Sequence, residues 1–302
     1  MAPHVHRSPV LASGFLDALA GASLFFKCGN SRKAGVIKVR GASNAVFGLP
    51  DAGAARGVAT HSSGNHALSL SCAAGRRVIP CAVVMPRTAP QARKDAVRGY
   101  GGTITECDPS RTSRKEVSAR LQAQTGADVV HPCNDPRVIA GQATSSRDLM
   151  EQVGGPDQVI APCGGGGRIS GTCLTLSAIA PRVEIHAAGP GQADDARRSL
   201  RAGRIIAGDA PDRVAHGLKM TLKDLTRHFV TSRVSDILTA SEQGIVDAMR
   251  LTWARMKIVI EPGCAVPLAT ILKNPETFRG RRVGVILSGG KVDPDRLPWM
   301  QG

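Results

Sequence analysis

Short apolar runs recur along the chain, and most are followed by glycine or serine and then by small residues at helical spacing. The pattern predicts strands over 57–60, 78–85, 159–163, 183–188 and 283–287. It predicts helices over 67–74, 91–99 and about 168–180. Strands that alternate with helices form parallel sheets covered on both faces, so the pattern favours an α/β fold.

The glycine-rich and serine-rich turns predict where a ligand binds. In parallel α/β sheets the ligand lies at the carboxyl ends of the strands, where these turns fall. A chain of 302 residues is long enough for two domains that each bury a core, so a site between domains is an expectation. No repeat or low-complexity linker marks a boundary between them.

Hydropathy predicts a soluble protein. Hydrophobic residues make up 42% of the chain, and no apolar run approaches the length of a membrane span. Residues 1–10 lack the apolar segment of a secretory signal, so we expect a cytoplasmic protein, with import into an organelle left open.

The cysteines and histidines predict no zinc site or disulfide framework. The eight cysteines form no C-x-x-C pair, and the eight histidines form no H-E-x-x-H motif. Several cysteines stand in apolar runs, which predicts buried, reduced thiols.

A formal net charge of +15 raises the question of nucleic-acid binding. The basic residues are dispersed, and the chain has a single tyrosine, so the basic and aromatic side chains do not interleave as in single-strand binders. The distribution favours a solvated basic surface that attracts anionic metabolites, with nonspecific polyanion binding as the alternative.

Four consecutive glycines, Gly164, Gly165, Gly166 and Gly167, stand between a predicted strand and a predicted helix. Without Cβ atoms, successive backbone N–H groups can close on an anion at the helix N-terminus. The run matches neither the ATP-binding nor the dinucleotide-binding glycine pattern, so it predicts a phosphate site of another kind, or a tight turn.

Three further segments carry candidate chemistry. Lys38 stands in an apolar surround that favours the neutral, nucleophilic form of an amine. The segment 62–66 reads Ser-Ser-Gly-Asn-His and offers hydroxyl, amide and backbone donors, and Ser288 opens a Ser-Gly-Gly turn after the last strand. Taken singly, each could be a surface lysine, a helix cap or a turn.

The order of these motifs resembles the serine racemase and serine/threonine dehydratase family, whose members are pyridoxal 5′-phosphate (PLP) enzymes of fold type II. The resemblance runs from about residue 8 to residue 298 and is strongest to plant members. It implies two parallel-sheet α/β domains with the cofactor between them. The large PLP-binding domain would comprise 1–56 and 135–302, and the small substrate-closing domain 57–134.

The resemblance also implies roles for individual residues. Lys38 would be the Schiff-base lysine and Ser63 the acid/base on the opposite face of the substrate. The cofactor would be bound by Lys38, Asn65, Gly164, Gly165, Gly166, Gly167 and Ser288, and the substrate by Ser62, Ser63, Asn65, His66 and Arg114. The implied protein is a homodimeric isomerase and lyase that racemises serine and eliminates ammonia from L-serine and L-threonine.

The chain departs from the family at its divalent-cation loop, where Gly189 replaces a carboxylate and leaves Ala193 and Asp195 as candidate ligands. We therefore expect weak or absent Mg²⁺ or Ca²⁺ binding. Two alternatives stay open: a degenerate, non-catalytic PLP-binding homologue, and a β-replacement enzyme of the cysteine-synthase type. The second is disfavoured because His66 and Ala67 follow Asn65.

Overall fold

The computed structural model describes residues 4–208, 214–218 and 220–300, which divide into two compact units. The first unit contains Lys38–Gly141 and the N-terminal residues up to His6; the second contains Arg7–Ile37 and the chain from Gln142 onward. The domain limits implied by the family resemblance stay a prediction. No helix among the described residues is long and apolar enough to cross a membrane.

Ten strands are found in the described residues: β1 (Val10–Leu11), β2 (Ser23–Cys28), β3 (Val58–His61), β4 (Cys81–Pro86), β5 (Thr103–Cys107), β6 (Asp128–Val129), β7 (Gln158–Pro162), β8 (Glu184–Pro190), β9 (Asp236–Ala240) and β10 (Arg282–Leu287).

The described α-helices are α1 (Gly14–Ala20), α2 (Val39–Phe47), α3 (Asp51–Ala55), α4 (Asn65–Arg77), α5 (Gln91–Gly99), α6 (Arg111–Thr125), α7 (Pro136–Val153), α8 (Gly167–Ile179), α9 (Asp195–Ala202), α10 (Asp224–Arg233), α11 (Glu242–Met256), α12 (Pro262–Lys273) and α13 (Pro275–Phe278).

Each unit is built on one sheet. The first unit has four parallel strands in the order β5-β4-β3-β6. The second has six strands in the order β1-β2-β10-β7-β8-β9, all parallel except β1, which pairs antiparallel with β2. The structure thus confirms the predicted α/β class with two parallel-strand sheets.

The sheet of the second unit is covered on both faces. Val283, Val285 and Leu287 of β10 belong to one apolar cluster, and Ile286 belongs to another. Since alternate residues of a strand point to opposite faces, the two clusters lie on opposite sides of the sheet. This explains why the strands read as continuous apolar runs in the sequence.

The predicted elements agree with the structure within a few residues, with one error. The strand predicted over 78–85 begins only at Cys81. Val78 instead ends helix α4 in a left-handed conformation, with φ of 58°, and is 89% exposed. The sequence pattern assigns this apolar side chain to the start of a strand, although it lies at a helix end. All eight cysteines are buried thiols outside any disulfide, as predicted.

Candidate functional site

Lys38 occupies the position directly before helix α2 in the first unit. The side chains next to it in sequence, Ile37 and Val39, are buried, while Lys38 remains partly accessible. Its Nζ atom donates a hydrogen bond of 2.6 Å to the carbonyl oxygen of Pro132. The amine is therefore held by a backbone acceptor that it can give up when it forms a covalent bond.

The segment between β3 and α4 forms the strand-to-helix turn that the sequence predicts. Ser62 is anchored by its backbone N–H, which donates to the carbonyl oxygen of Val84 at 3.2 Å, and its Oγ accepts from the N–H of Gly64 at 3.4 Å. Helix α4 begins at Asn65. The first N–H groups of a helix lack partners within the helix, so this turn can bind an anionic group.

His66 is a buried histidine in the first turn of α4, and its ring is held neutral. Its Nε2 lies 3.0 Å from the carbonyl oxygen of Val130, which can only accept, so Nε2 carries the proton. Burial, assisted by the charge of Lys38, lowers its pKa to about 3. The enclosed Nδ1 has no hydrogen-bond partner among the described residues, and as an acceptor it suits an amine donor better than a carboxylate.

Two arginines lie in this part of the first unit with different contacts. Arg114, the predicted carboxylate ligand, is on α6 and donates from Nε to the carbonyl oxygen of Ser110 at 3.4 Å. Arg93, on α5, was not singled out from the sequence, and its Nη1 donates to the carbonyl oxygen of Ser63 at 3.4 Å. The side chain of Arg93 therefore makes a hydrogen bond to the turn, whereas the hydrogen bond of Arg114 is to its own helix.

The four glycines of the second unit link β7 to α8 in a conformation that side chains would disturb. Gly166 has φ of +84°, and a Cβ atom there would lie 2.7 Å from Cβ of Thr226 and 2.8 Å from Leu222. A Cβ atom on Gly164 would lie 2.8 Å from Cα of Leu218. The turn approaches its neighbours too closely for side chains and leads straight into a helix N-terminus, an arrangement that fits the phosphate of PLP.

Ser288 follows β10, the parallel neighbour of β7, so it and the glycines lie at the same edge of the sheet. Its backbone N–H donates to Sγ of Cys264 at 2.9 Å, and its carbonyl oxygen accepts from the N–H of Ile37 at 2.9 Å. Burial raises the pKa of the Cys264 thiol to about 12, so the thiol stays protonated and inert. Ser288 is thus buried, and its position beside a pyridine nitrogen stays a prediction.

Arg168 is a second residue that the sequence analysis missed. It follows the last glycine directly, and its Nη1 lies 3.5 Å from the carbonyl oxygen of Pro162. Its Nε is enclosed with no partner among the described residues, and burial lowers its pKa. A guanidinium enclosed beside the four glycines adds positive charge where the sequence predicts an anion.

The candidate metal ligands lie at the end of β8. Ala193 ends a short 3₁₀ turn and Asp195 begins α9 with its side chain buried. No group of three or more His, Cys, Asp or Glu residues within the described ranges is arranged to hold a metal ion.

The chain is similar to known proteins over nearly its whole length. Residues 1–289 match the family described as pyridoxal-phosphate dependent enzymes. The beta-hydroxyaspartate dehydratase of Paracoccus denitrificans is 65% identical over 297 residues, which cover 98% of this chain and 94% of that protein. The serine racemase of Oryza sativa subsp. indica is 44% identical over 298 residues, 97% of this chain and 88% of that protein.

A solved structure has the same fold. The serine racemase of maize superposes with a TM-score of 0.96 and 43% sequence identity, covering 99% of this chain and 92% of that chain. The resemblance inferred from the order of motifs is confirmed by these matches.

Proposed function

Because the chain belongs to the family of pyridoxal-phosphate dependent enzymes, we propose that it removes water from β-hydroxy-α-amino acids and that β-hydroxyaspartate is its preferred substrate. The observation that carries the proposal is the 65% identity to the beta-hydroxyaspartate dehydratase across 98% of the chain. The identity to the rice serine racemase is 44%, over 97% of this chain and 88% of that protein.

Pyridoxal phosphate is the cofactor of this family, and when bound to the substrate amine it withdraws electrons from Cα and makes the proton there acidic. The turn 164–167, with Arg168 beside it, would hold the phosphate through backbone N–H groups. Ser288 would face the pyridine nitrogen with a neutral hydroxyl, and Asn65 would contact the phenolic oxygen.

The side chains of the first unit would then carry the reaction. Lys38 would take the proton from Cα and pass it to the β-hydroxyl group, which would leave as water with the electrons of its bond to Cβ. The resulting enamine rearranges to an imine, which water hydrolyses to a 2-oxo acid and ammonia. Ser62 and Arg114 would bind the carboxylate at Cα, while neutral His66 would accept a hydrogen bond from an amine.

A second candidate is serine racemisation together with dehydration of L-serine and L-threonine. It is supported by the rice and maize serine racemases and by the presence of both Lys38 and Ser63. Racemisation needs acid/base groups on the two faces of Cα, because the proton removed from one face returns on the other. A homodimer and a cytoplasmic location also stay predictions.

The experiment that separates these candidates compares substrates on one preparation of the PLP-loaded enzyme. Ammonia and 2-oxo acid release would be measured with β-hydroxyaspartate, L-serine and L-threonine, and enantiomer exchange with D-serine and L-serine. We expect kcat/KM for β-hydroxyaspartate to exceed that for L-serine by about 100-fold or more, as for a site that binds an additional polar group of its substrate.

If kcat/KM for dehydration or racemisation of serine exceeded that for dehydration of β-hydroxyaspartate, the second candidate would be favoured and the first contradicted. A cofactor absorption spectrum that responds to none of these amino acids would instead identify a non-catalytic relative. Lys38→Ala is the control for background reaction.

A further inference from the structure

Arg93 places a guanidinium group against the turn between β3 and α4. The donor is Nη1 and the acceptor is the backbone carbonyl oxygen of Ser63, 3.4 Å away. The side chain of Arg93 is exposed, so it can be reached by a ligand that enters at this edge of the sheet. A guanidinium has five N–H donors, and this contact uses a single nitrogen.

The charge of Arg93 also distinguishes it from the basic residues around it. On the same helix, Lys94 pairs with Glu106 at 2.6 Å and Arg98 pairs with Asp95 at 3.2 Å. Arg87, at the end of β4, pairs with Asp108 at 2.7 Å. Arg93 has no ion pair in the described part of the chain, although it is the residue of this group that contacts Ser63.

We propose that Arg93 binds the distal carboxylate of a dicarboxylic β-hydroxy amino acid and so selects β-hydroxyaspartate over serine. The inference rests on the proposed function. Ser63 is the predicted acid/base at Cα, and the distal carboxylate is attached to the adjacent carbon of the substrate. A guanidinium that hydrogen-bonds the backbone of Ser63 would then lie beside the region that this carboxylate enters.

The chemistry of arginine suits this task. Its planar fork forms two parallel hydrogen bonds to a carboxylate, which a lysine cannot reproduce. Serine has hydrogen where β-hydroxyaspartate has the distal carboxylate, so it leaves the guanidinium without an anionic partner. The contact therefore discriminates between the two substrates without a change in the groups that act at Cα.

The test compares Arg93→Gln and Arg93→Lys with Arg98→Gln, a control on an exposed arginine of the same helix. Steady-state kinetics would be measured with β-hydroxyaspartate and L-serine. Binding would be measured separately through the change in cofactor absorbance on titration with L-aspartate and L-alanine, which share the Cα groups and differ in the distal carboxylate.

We expect Arg93→Gln to lower kcat/KM for β-hydroxyaspartate about 100-fold and that for L-serine less than about fivefold, as for the loss of a charge-assisted hydrogen bond. The dissociation constant for L-aspartate should rise by a similar factor, with a much smaller change for L-alanine. Arg93→Lys should recover part of the affinity, and Arg98→Gln should match the wild type.

Equal losses for the two substrates would overturn the inference, because Arg93 would then only position the turn. No loss for either substrate would overturn it as well. A wild-type enzyme that fails to dehydrate β-hydroxyaspartate, yet binds L-aspartate through Arg93, would refute the proposed reaction and support the carboxylate contact.

Discussion

The turn after β3 and the turn after β7 each follow a strand of a parallel-strand sheet, but they differ in their residue types. The turn of the first unit, 62–66, carries two hydroxyls, an amide and an imidazole. The turn of the second unit, 164–167, has no side chains at all. Both lead from a strand end into a helix N-terminus, so the backbone plan is shared.

The difference shows how two turns that each join a strand to a helix can be constrained differently. A phosphate can be bound by backbone N–H groups, which every residue except proline possesses, so the second turn depends on close packing and on the conformation of glycine. A substrate must be distinguished from similar molecules, which requires particular side chains. Changes in the first turn should therefore alter the reaction, and changes in the second should alter cofactor binding and stability.

The largest effect should come from the first unit. Lys38→Ala should lower activity by about a thousandfold or more, because the proposed proton acceptor at Cα is lost. After borohydride reduction, peptide mapping of the wild type should place the pyridoxyl group on Lys38. Lys115→Ala, on an exposed lysine of α6, should retain both activity and adduct. A pyridoxyl group on another lysine would contradict the assignment.

The second unit should respond to an added methyl group. Gly166→Ala should reduce the free energy of unfolding by about 3 kcal/mol, because it combines a left-handed backbone with contacts of 2.7 and 2.8 Å. Cofactor affinity should fall with it. Both would be measured, by urea unfolding and by PLP titration.

Gly154→Ala provides the matched control for that substitution. Gly154 also has positive φ, +71°, but a Cβ atom there meets nothing within 4 Å among the described residues. Gly154→Ala should lower the free energy of unfolding by about 1–2 kcal/mol, from the backbone conformation alone, and should leave cofactor affinity unchanged. If Gly166→Ala and Gly154→Ala lowered the free energy of unfolding equally, the close packing of the turn would be unimportant.

His66 makes the stability of the first unit depend on pH. Its pKa is about 3 in the folded protein and 6.5 in an unfolded chain, so below pH 6.5 the unfolded state binds a proton that the folded state lacks. Stability is therefore lost as pH falls. From pH 7.5 to pH 5 the wild type should lose about 2 kcal/mol more than His66→Gln.

Urea unfolding at the two pH values would measure this loss, with His228→Gln, on an exposed histidine, as the control. Parallel pH profiles for the wild type and His66→Gln would refute the buried neutral state of His66.

Much of this arrangement could be predicted from the sequence because its signals are local. An apolar run, four glycines and a stretch of small residues place β7, the turn and α8 within one residue of their observed limits. Val78 shows the limit of the same reasoning, since an apolar side chain alone does not reveal whether its position is buried.

The candidate residues that the sequence did not indicate depend on tertiary contacts. The hydrogen-bond acceptor of Lys38 is the backbone carbonyl of Pro132. Every residue has such a carbonyl group, so the residue type does not indicate the contact. Arg93 is 30 residues from Ser63 and meets it because two parallel strands are adjacent. Arg168 follows the glycines directly, but only the fold shows that its Nε is enclosed.

The smallest expected effect concerns a third strand end, that of β8 in the second unit. Gly189 stands where the resemblance described above predicts a carboxylate, and each anionic ligand offsets part of the cost of dehydrating Mg²⁺ or Ca²⁺. The melting temperature of the wild type should therefore change little between Mg²⁺ and chelator. A Cβ atom at Gly189 would meet the carbonyl oxygen of Cys163 at 3.9 Å, an ordinary contact, so the backbone accepts a side chain there.

Gly189→Glu should restore a response to metal, because the new carboxylate joins Asp195 at the end of the strand. We expect millimolar Mg²⁺ to raise its melting temperature by about 3 °C relative to chelator, the shift produced by weak binding to the folded state. Gly189→Gln, which has the same shape without the charge, should show no such rise. A wild type that loses stability on chelation, with Gly189→Glu no different from it, would show that the cation binds through other residues.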